Sequence, residues 1–274
     1  MISITIPVVH GKELSSVLAS VFSSTFQDFE VIVNDASPPD RRGVIRQVLS
    51  TYDVKILRSP FKTLESRFRM ALLTSGTHIL MLDETRRVHP ELLSHLTFRD
   101  VDVAFIGEEE VGGRPWLRWI RADFRRTLEV GSSGLAPSRQ LYCLPRYYRR
   151  EILLSAFAAA RERLGADRFG RVITADLEIP FIESYDQTTQ RQQLSTAFIF
   201  HLGEEDLLAY LRKYVRYGVG ARLLRGTPYE KVASPKMHQR SLKGLPLKTQ
   251  VQILLSLGVR ATCFAAGYYF SQDS

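Results

Sequence analysis

Two acidic residues placed where an apolar run stops are the first chemistry this sequence offers. The run His78-Ile79-Leu80-Met81-Leu82 has the length and composition of a buried strand, and it ends at Asp83-Glu84. In an open α/β sheet, ligands bind in the crevice beyond the carboxyl ends of the strands. Adjacent carboxylates there suit a hard cation, Mg2+ or Mn2+, that carries phosphates. The competing reading is that Asp83 starts a turn and caps the helix that Pro90 opens.

The elements that must position this pair follow from hydrophobic period. Ile2 to Val8 reads as a first strand ending at Pro7. Leu14, Val17, Leu18, Val21 and Phe22 share one face of a helix from about Lys12 to Ser24. Phe29 to Val33 is a second strand, and Asn34 to Asp40 a turn dense in Asx and Pro signals. A helix from about Arg42 to Thr51, a strand Val54–Leu57, and a helix carrying Leu64, Phe68, Ala71 and Leu72 lead to the strand His78–Leu82. Strand alternating with helix predicts a parallel sheet with crossover helices, a Rossmann-like α/β half over residues 1–100.

Beyond Pro90 the pattern loosens. Val101 to Ile106 reads as a strand, the acidic, glycine-rich stretch Gly107–Gly113 as loop or mixed sheet, and Arg114–Arg126 likewise. Helices are predicted from about Arg146 to Leu164, Glu204 to Tyr217 and Leu247 to Phe270. Thr227 to Lys248, rich in Pro, Lys and Arg, reads as a linker.

Composition bounds the class. At 274 residues, 45% apolar and 24% charged, the chain can bury a substantial core and is neither disordered nor fibrous. It enters directly into Ile2-Ser3-Ile4-Thr5-Ile6 without a basic leader or cleavage site, so a cytoplasmic location is expected. Cys143 and Cys263 lie far apart in apolar contexts, which excludes a zinc knuckle and reads as two buried positions. A net charge of +8 and a pI of 9.6 attract polyanions. No zinc knuckle, stacking-aromatic motif or basic repeat accompanies that charge, so nucleic acid is not an expected partner.

Several longer stretches carry a family resemblance. Ser3-Ile4-Thr5-Ile6-Pro7-Val8, the ungapped Ser20-Val21-Phe22-Ser23-Ser24-Thr25-Phe26-Gln27-Asp28-Phe29-Glu30-Val31-Ile32-Val33-Asn34-Asp35-Ala36-Ser37, and Ser75-Gly76-Thr77-His78-Ile79-Leu80-Met81-Leu82-Asp83-Glu84-Thr85 appear in that order. So do Ser66-Arg67, Gly165-Ala166-Asp167-Arg168-Phe169, Ala175-Asp176-Leu177-Glu178, and His201 followed by Leu207–Gly220. Over about residues 1–225 the chain resembles the inverting family 2 glycosyltransferases. The resemblance implies a GT-A fold, a mainly parallel Rossmann-like sheet flanked by helices, with a nucleotide-sugar half over about 1–100 and an acceptor half over about 101–225. Residues 226–274 would form a basic linker and a C-terminal helical extension.

The same resemblance implies roles. Pro7, Asp35, Arg67 and Asp83 would line the donor: Asp35 accepting from the nucleobase, Arg67 pairing with the diphosphate, and Asp83 anchoring the ribose or a backbone. Glu84, with Asp83 and His201, would hold Mn2+ or Mg2+, although Thr85 stands where relatives have a third carboxylate. Asp176 would be the general base, with Glu178 a weaker substitute. Each has a plainer alternative: a turn-starting Asx for Asp35, a solvated helix face for Arg67, a strand-end residue for His201, a helix cap for Asp176. The implied partners are a nucleotide-diphosphate sugar and a glycan, lipid-linked or other hydroxyl acceptor. A non-catalytic nucleotide-sugar or glycan-binding relative is the alternative function.

Val251–Phe270 is apolar but interrupted by Gln252 and Arg260, so it is not expected to cross a bilayer. An amphipathic helix preceded by Lys231, Lys236, Arg240, Lys243 and Lys248 suits either a place on the inner face of a membrane or packing on the domain or on a second subunit of a homo-oligomer.

Overall fold

In the first hundred residues, short apolar runs and amphipathic stretches form the elements that their periodicity predicts. The computed structural model describes residues 1–60, 64–97, 100–111, 141–172, 177–186, 188–202, 206–230 and 247–270. The chain runs β1 (Ile2–Val8), α1 (Leu14–Phe22), β2 (Phe29–Asp35), α2 (Arg42–Leu49), β3 (Lys55–Arg58), α3 (Leu64–Leu73), β4 (His78–Met81), β5 (Arg86–Val88) and α4 (Leu92–Thr97). It continues with β6 (Val103–Val111), β7 (Leu141–Arg149), α5 (Arg150–Leu164), α6 (Ala166–Arg171), α7 (Glu178–Tyr185), β8 (Arg191–Leu202), α8 (Leu207–Leu223), α9 (Leu247–Ala265) and a closing π-turn (Ala266–Phe270).

Among the described residues the strands form one sheet in the order β3-β2-β1-β4-β7-β6-β8-β5. β3, β2, β1 and β4 are mutually parallel, as the alternation of strand and helix requires. β7 joins β4 and β6 antiparallel, β6 runs parallel to β8, and β5 closes the edge antiparallel to β8. The architecture is thus the α/β one expected, a mainly parallel sheet flanked by helices.

Strand geometry divides the core. Side chains alternate across a strand, so Leu80 joins a cluster with Ile4, Ile6, Leu14 and Leu18 on one face. Ile79 and Met81 join Leu64, Leu153, Phe157 and Phe169 on the other. Each fully buried aliphatic or aromatic side chain contributes about 1.5–3 kcal/mol, so β4, covered on both faces, is held strongly in register.

One reading is resolved and one corrected. Of loop or mixed sheet, the two readings of the acidic stretch from Gly107, the structure has mixed sheet as far as Val111, where β6 continues because Glu108 finds two arginine partners; residues 112–113 lie outside the described residues. The helix expected from Arg146 begins at Arg150, and residues 146–149 end β7, where Tyr147 and Tyr148 pack on opposite faces. Most other boundaries shift by one to three residues; α8 starts three residues later than expected, at Leu207, and ends six later, at Leu223. The Arg114–Arg126 segment and most of the Thr227–Lys248 linker lie outside the described residues. So does the Cys143 side chain, while Cys263, read as buried, is half-buried.

At the amino ends of the parallel strands, Glu30 ties four segments together. Its carboxylate accepts from Ser3 Oγ, from the Ser75 and Gly76 N–H groups and from Ser75 Oγ, and it pairs with Lys55 Nζ at 2.6 Å. Burial works against the charged form, but Lys55, Ser3 and Ser75 outweigh it and bring the carboxyl from 4.5 down to about 2. A depressed acid stabilises the fold fully above its unfolded value and loses that contribution as pH falls toward the folded one. Glu30→Gln should therefore lower the unfolding free energy at pH 7 by about 1–3 kcal/mol. In denaturant titrations the gap between variant and wild type should narrow as pH drops from about 4.5 toward 2.

Candidate functional site at the strand ends

The carboxyl ends of β1, β2 and β4 meet at one edge of the sheet. Ala36 N donates to Val8 O at 3.0 Å, and Leu82 N to Thr5 O at 3.0 Å, so the three segments leaving these strands start side by side. Asp35, the loop 9–11 and the pair Asp83-Glu84 are thereby brought together.

Glu84 reaches across this edge to the loop after β1. Its carboxylate accepts from the N–H groups of Val9 at 3.3 Å, His10 at 3.0 Å and Gly11. Three successive amides converging on one anion form a nest, a concavity of fixed positive partial charge. Gly11 makes this possible: its φ is +70°, and a Cβ there would stand 2.5 Å from Ile45 Cγ1. Arg41 Nη1 donates to His10 O at 3.2 Å and steadies the same loop.

Asp83 is engaged differently. Its Oδ1 accepts from Thr85 N at 3.1 Å and Thr85 Oγ1 at 2.7 Å, while its other oxygen pairs with Arg86. The plainer reading of Asp83 as a turn-former thus has a structural basis, although the turn it caps is its own; Leu92 N, at the start of α4, bonds to His89 O instead. Arg86 leads inward. Its Nε donates to Glu108 at 3.1 Å, and Arg146 Nε donates to the same carboxylate at 2.6 Å. Glu108 has no solvent exposure. Burial alone would raise its pKa, yet Arg146 and Arg86 hold it below the usual carboxylate range.

The remaining predicted residues fall around this edge. Asn34 is buried, its Nδ2 donating to Ser66 Oγ at 2.8 Å, and it stands opposite Pro7 in the β1–β2 register. Asp35 Oδ1 accepts from Ser37 N at 3.1 Å and from the Ser37 hydroxyl, an Asx turn. Arg67 is next to Ser66 in the first turn of α3 and forms an ion pair with Glu178, which is 2% exposed at the start of α7. His201 is buried in β8 opposite Arg86, and Leu202 N donates to Thr85 O at 2.8 Å, so β8 flanks the acidic turn. Asp176 lies outside the described residues. A pocket of about 340 Å³, lined by Phe68, Arg161, Glu162 and Gly165 among others, opens where α3 meets α5 and α6; none of the strand-end residues above lines it.

Two contributors escaped the sequence reading. The Arg86–Glu108–Arg146 network was hidden because Glu108 belongs to a stretch whose composition reads as loop. The amide nest of residues 9–11 involves no side chain, and its only trace in sequence is Gly11 after the first strand.

Comparison with known proteins bears on the fold. The sequence matches no protein-family model and no curated protein sequence. Among solved structures, it is similar to residues 1–349 of Staphylococcus aureus TarS, with 17% identity and a TM-score of 0.50 over 96% of this chain and 80% of that one. The same TarS fragment solved with UDP gives 17% identity and a TM-score of 0.52 at the same coverage, and its complex with UDP-GlcNAc 16% and 0.50. In another structure of TarS this chain covers 49% of the solved chain, with 16% identity and a TM-score of 0.50. At this identity the likeness establishes the fold, a GT-A-like, Rossmann-like α/β arrangement.

A divalent cation held by this pair requires oxygens turned toward it. As folded, backbone amides take up both oxygens of Glu84, and Thr85 and Arg86 take up those of Asp83. His201 stands in register opposite Arg86, whose guanidinium is a like charge to any cation. Among the described residues no three of His, Cys, Asp and Glu gather as a metal-binding group. This donor set does not fit a cation while the 9–11 loop keeps its bonds.

Glu84→Ala should therefore lower stability by about 1–2 kcal/mol, since bonds from partly exposed amides to a charged acceptor are exchanged for bonds to water. It should also abolish slow hydrogen exchange at His10 and Gly11. In the wild type, Mn2+ should leave that protection unchanged; faster exchange on adding Mn2+ would show that Glu84 leaves the loop for the metal.

Proposed function

We propose that the protein is an inverting glycosyltransferase that moves a sugar from a nucleotide-diphosphate donor to a hydroxyl acceptor. The observation that carries this reading is the convergence of Asp35, the 9–11 amides, Arg67 and Asp83-Glu84 at the carboxyl-end edge of the parallel strands. Ligands of open α/β sheets bind at such an edge. The solved complexes of TarS with UDP and UDP-GlcNAc support a nucleotide-sugar donor, and the family 2 motif order supports the inverting assignment.

In this reading the nucleobase lies against Asp35 and the loop after β1, which Glu84 keeps in shape. Arg67, oriented by Glu178, stands on the diphosphate side. The acceptor hydroxyl attacks the anomeric carbon from the face opposite the leaving diphosphate and passes its proton to a carboxylate, for which Asp176 is proposed. The bond to the diphosphate breaks as the new glycosidic bond forms. The Mn2+ or Mg2+ expected from the resemblance stays outside this scheme, because the oxygens that would hold it are engaged.

That engagement also supports a second reading, a nucleotide-sugar-binding relative without turnover. A thermal-shift screen of nucleotide sugars tests the shared part: a donor present at a hundred times its Kd adds about 2.7 kcal/mol to stability. Release of nucleotide diphosphate by the wild type distinguishes the enzyme. Asp176→Asn should then lower kcat by about 10²–10⁴ with donor affinity nearly unchanged. A loss confined to donor binding would place Asp176 in the donor site instead.

A further inference from the structure

Positive charge is not spread over this chain. Residues 207–272 hold eleven Lys and Arg and one acidic residue, Glu230, a local balance of +10. The whole chain is +8, so the rest is close to neutral at about −2. The basic excess therefore belongs to the segment that carries α8 and α9, which is separate in sequence from the strand-end residues.

The same segment exposes apolar surface in an ordered way. α9 packs on α8 through one face: Arg260 Nε donates to Tyr210 Oη at 2.6 Å, and its guanidinium lies 5.3 Å from the Tyr214 ring centre. A Cβ at Gly218 in α8 would meet Phe264 O of α9 at 2.0 Å, and one at Gly267 in the π-turn would meet Val215 O at 1.9 Å, so α8 touches both backbone to backbone. With that face committed, Leu247, Val251, Leu254, Leu255 and Val259 point outward, 75%, 46%, 56%, 66% and 47% exposed. Their spacing places them on one stripe of a 19-residue helix about 28 Å long. Tyr269 and Phe270, 70% and 81% exposed, end it, and aromatics favour the boundary between lipid and water.

We propose that this surface docks on an anionic lipid bilayer, α9 lying in the interface with its leucine stripe in the acyl boundary and Lys248, exposed in its first turn, against headgroups, within a segment whose net charge draws it to the anionic surface. Charge selects the occupant. Pairing two copies through this face would bring two +10 segments together, and a nucleic acid would leave the apolar stripe in water. Among the described residues no helix is long and apolar enough to cross a membrane, so the helix lies on the surface. The proposal rests on charge and exposure and is independent of the transferase reading.

Vesicle flotation with the full chain tests it. The protein should float with phosphatidylcholine vesicles containing phosphatidylglycerol, at least tenfold more than with phosphatidylcholine alone, and high salt should weaken the association. The double variant Leu254→Glu/Leu255→Glu, changed only at exposed positions, should float at least tenfold less with its melting temperature unchanged. Protein that stays at the bottom with anionic vesicles at low salt overturns the proposal. So does a variant that floats like wild type. Sedimentation velocity supplies the remaining outcome: a dimer abolished by the double variant, without vesicle binding, would assign the stripe to a second copy.

Discussion

A carboxylate with no access to water organises the middle of this sheet. Glu108 in β6 is charged only because Arg86 from β5 and Arg146 from β7 both donate to it, and removing either arginine would leave a buried charge short of a partner. Arg86 reaches in the other direction to Asp83. The parallel half of the sheet, the antiparallel half and the acidic turn between them are thereby joined by one chain of alternating charges. Replacing such a network with well-packed apolar groups is often neutral or stabilising. Its consequence here is therefore positional: it determines where the acidic turn sits.

From that turn, Glu84 extends the order outward to the loop after β1. A short apolar strand, an acidic pair and a glycine with positive φ thus act as one device, in which a side chain closes an amide nest that the backbone builds. The chemistry available at the edge changes accordingly. Carboxylates that look in sequence like ligands awaiting a cation are, in the folded chain, acceptors already matched to N–H and guanidinium donors.

The strand-end region and the α8–α9 segment follow different physics. Around the strand ends, opposite charges are paired at close range and partly buried, where salt screens them little. In α8 and α9, six cations stand with no acid in either helix, and apolar side chains face outward. The first arrangement stabilises a specific geometry. The second leaves a local excess of positive charge beside an exposed apolar stripe.

The sequence by itself determined the parallel core, because period-2 strands and period-3.6 helices write their burial directly into residue order: Ile4, Ile6, Leu14, Leu18, Ile79 and Leu80 are all buried as their spacing requires. It also placed Asp35 and the pair Asp83-Glu84 at the ends of strands that a parallel sheet must align, whereas Arg67, in a helix, was marked by the family resemblance alone. The antiparallel half was less legible. β7, β8 and the continuation of β6 through Glu108 depend on pairings between residues far apart in the chain, such as Glu108 with Arg146, 38 positions on, and a buried Glu looks polar until its arginines arrive. What each site residue does was left to the tertiary structure as well. Whether a carboxylate is a ligand, a turn-former or a loop lock depends on which donors surround its lone pairs, and the donors to Glu84 are backbone amides 73 to 75 residues away.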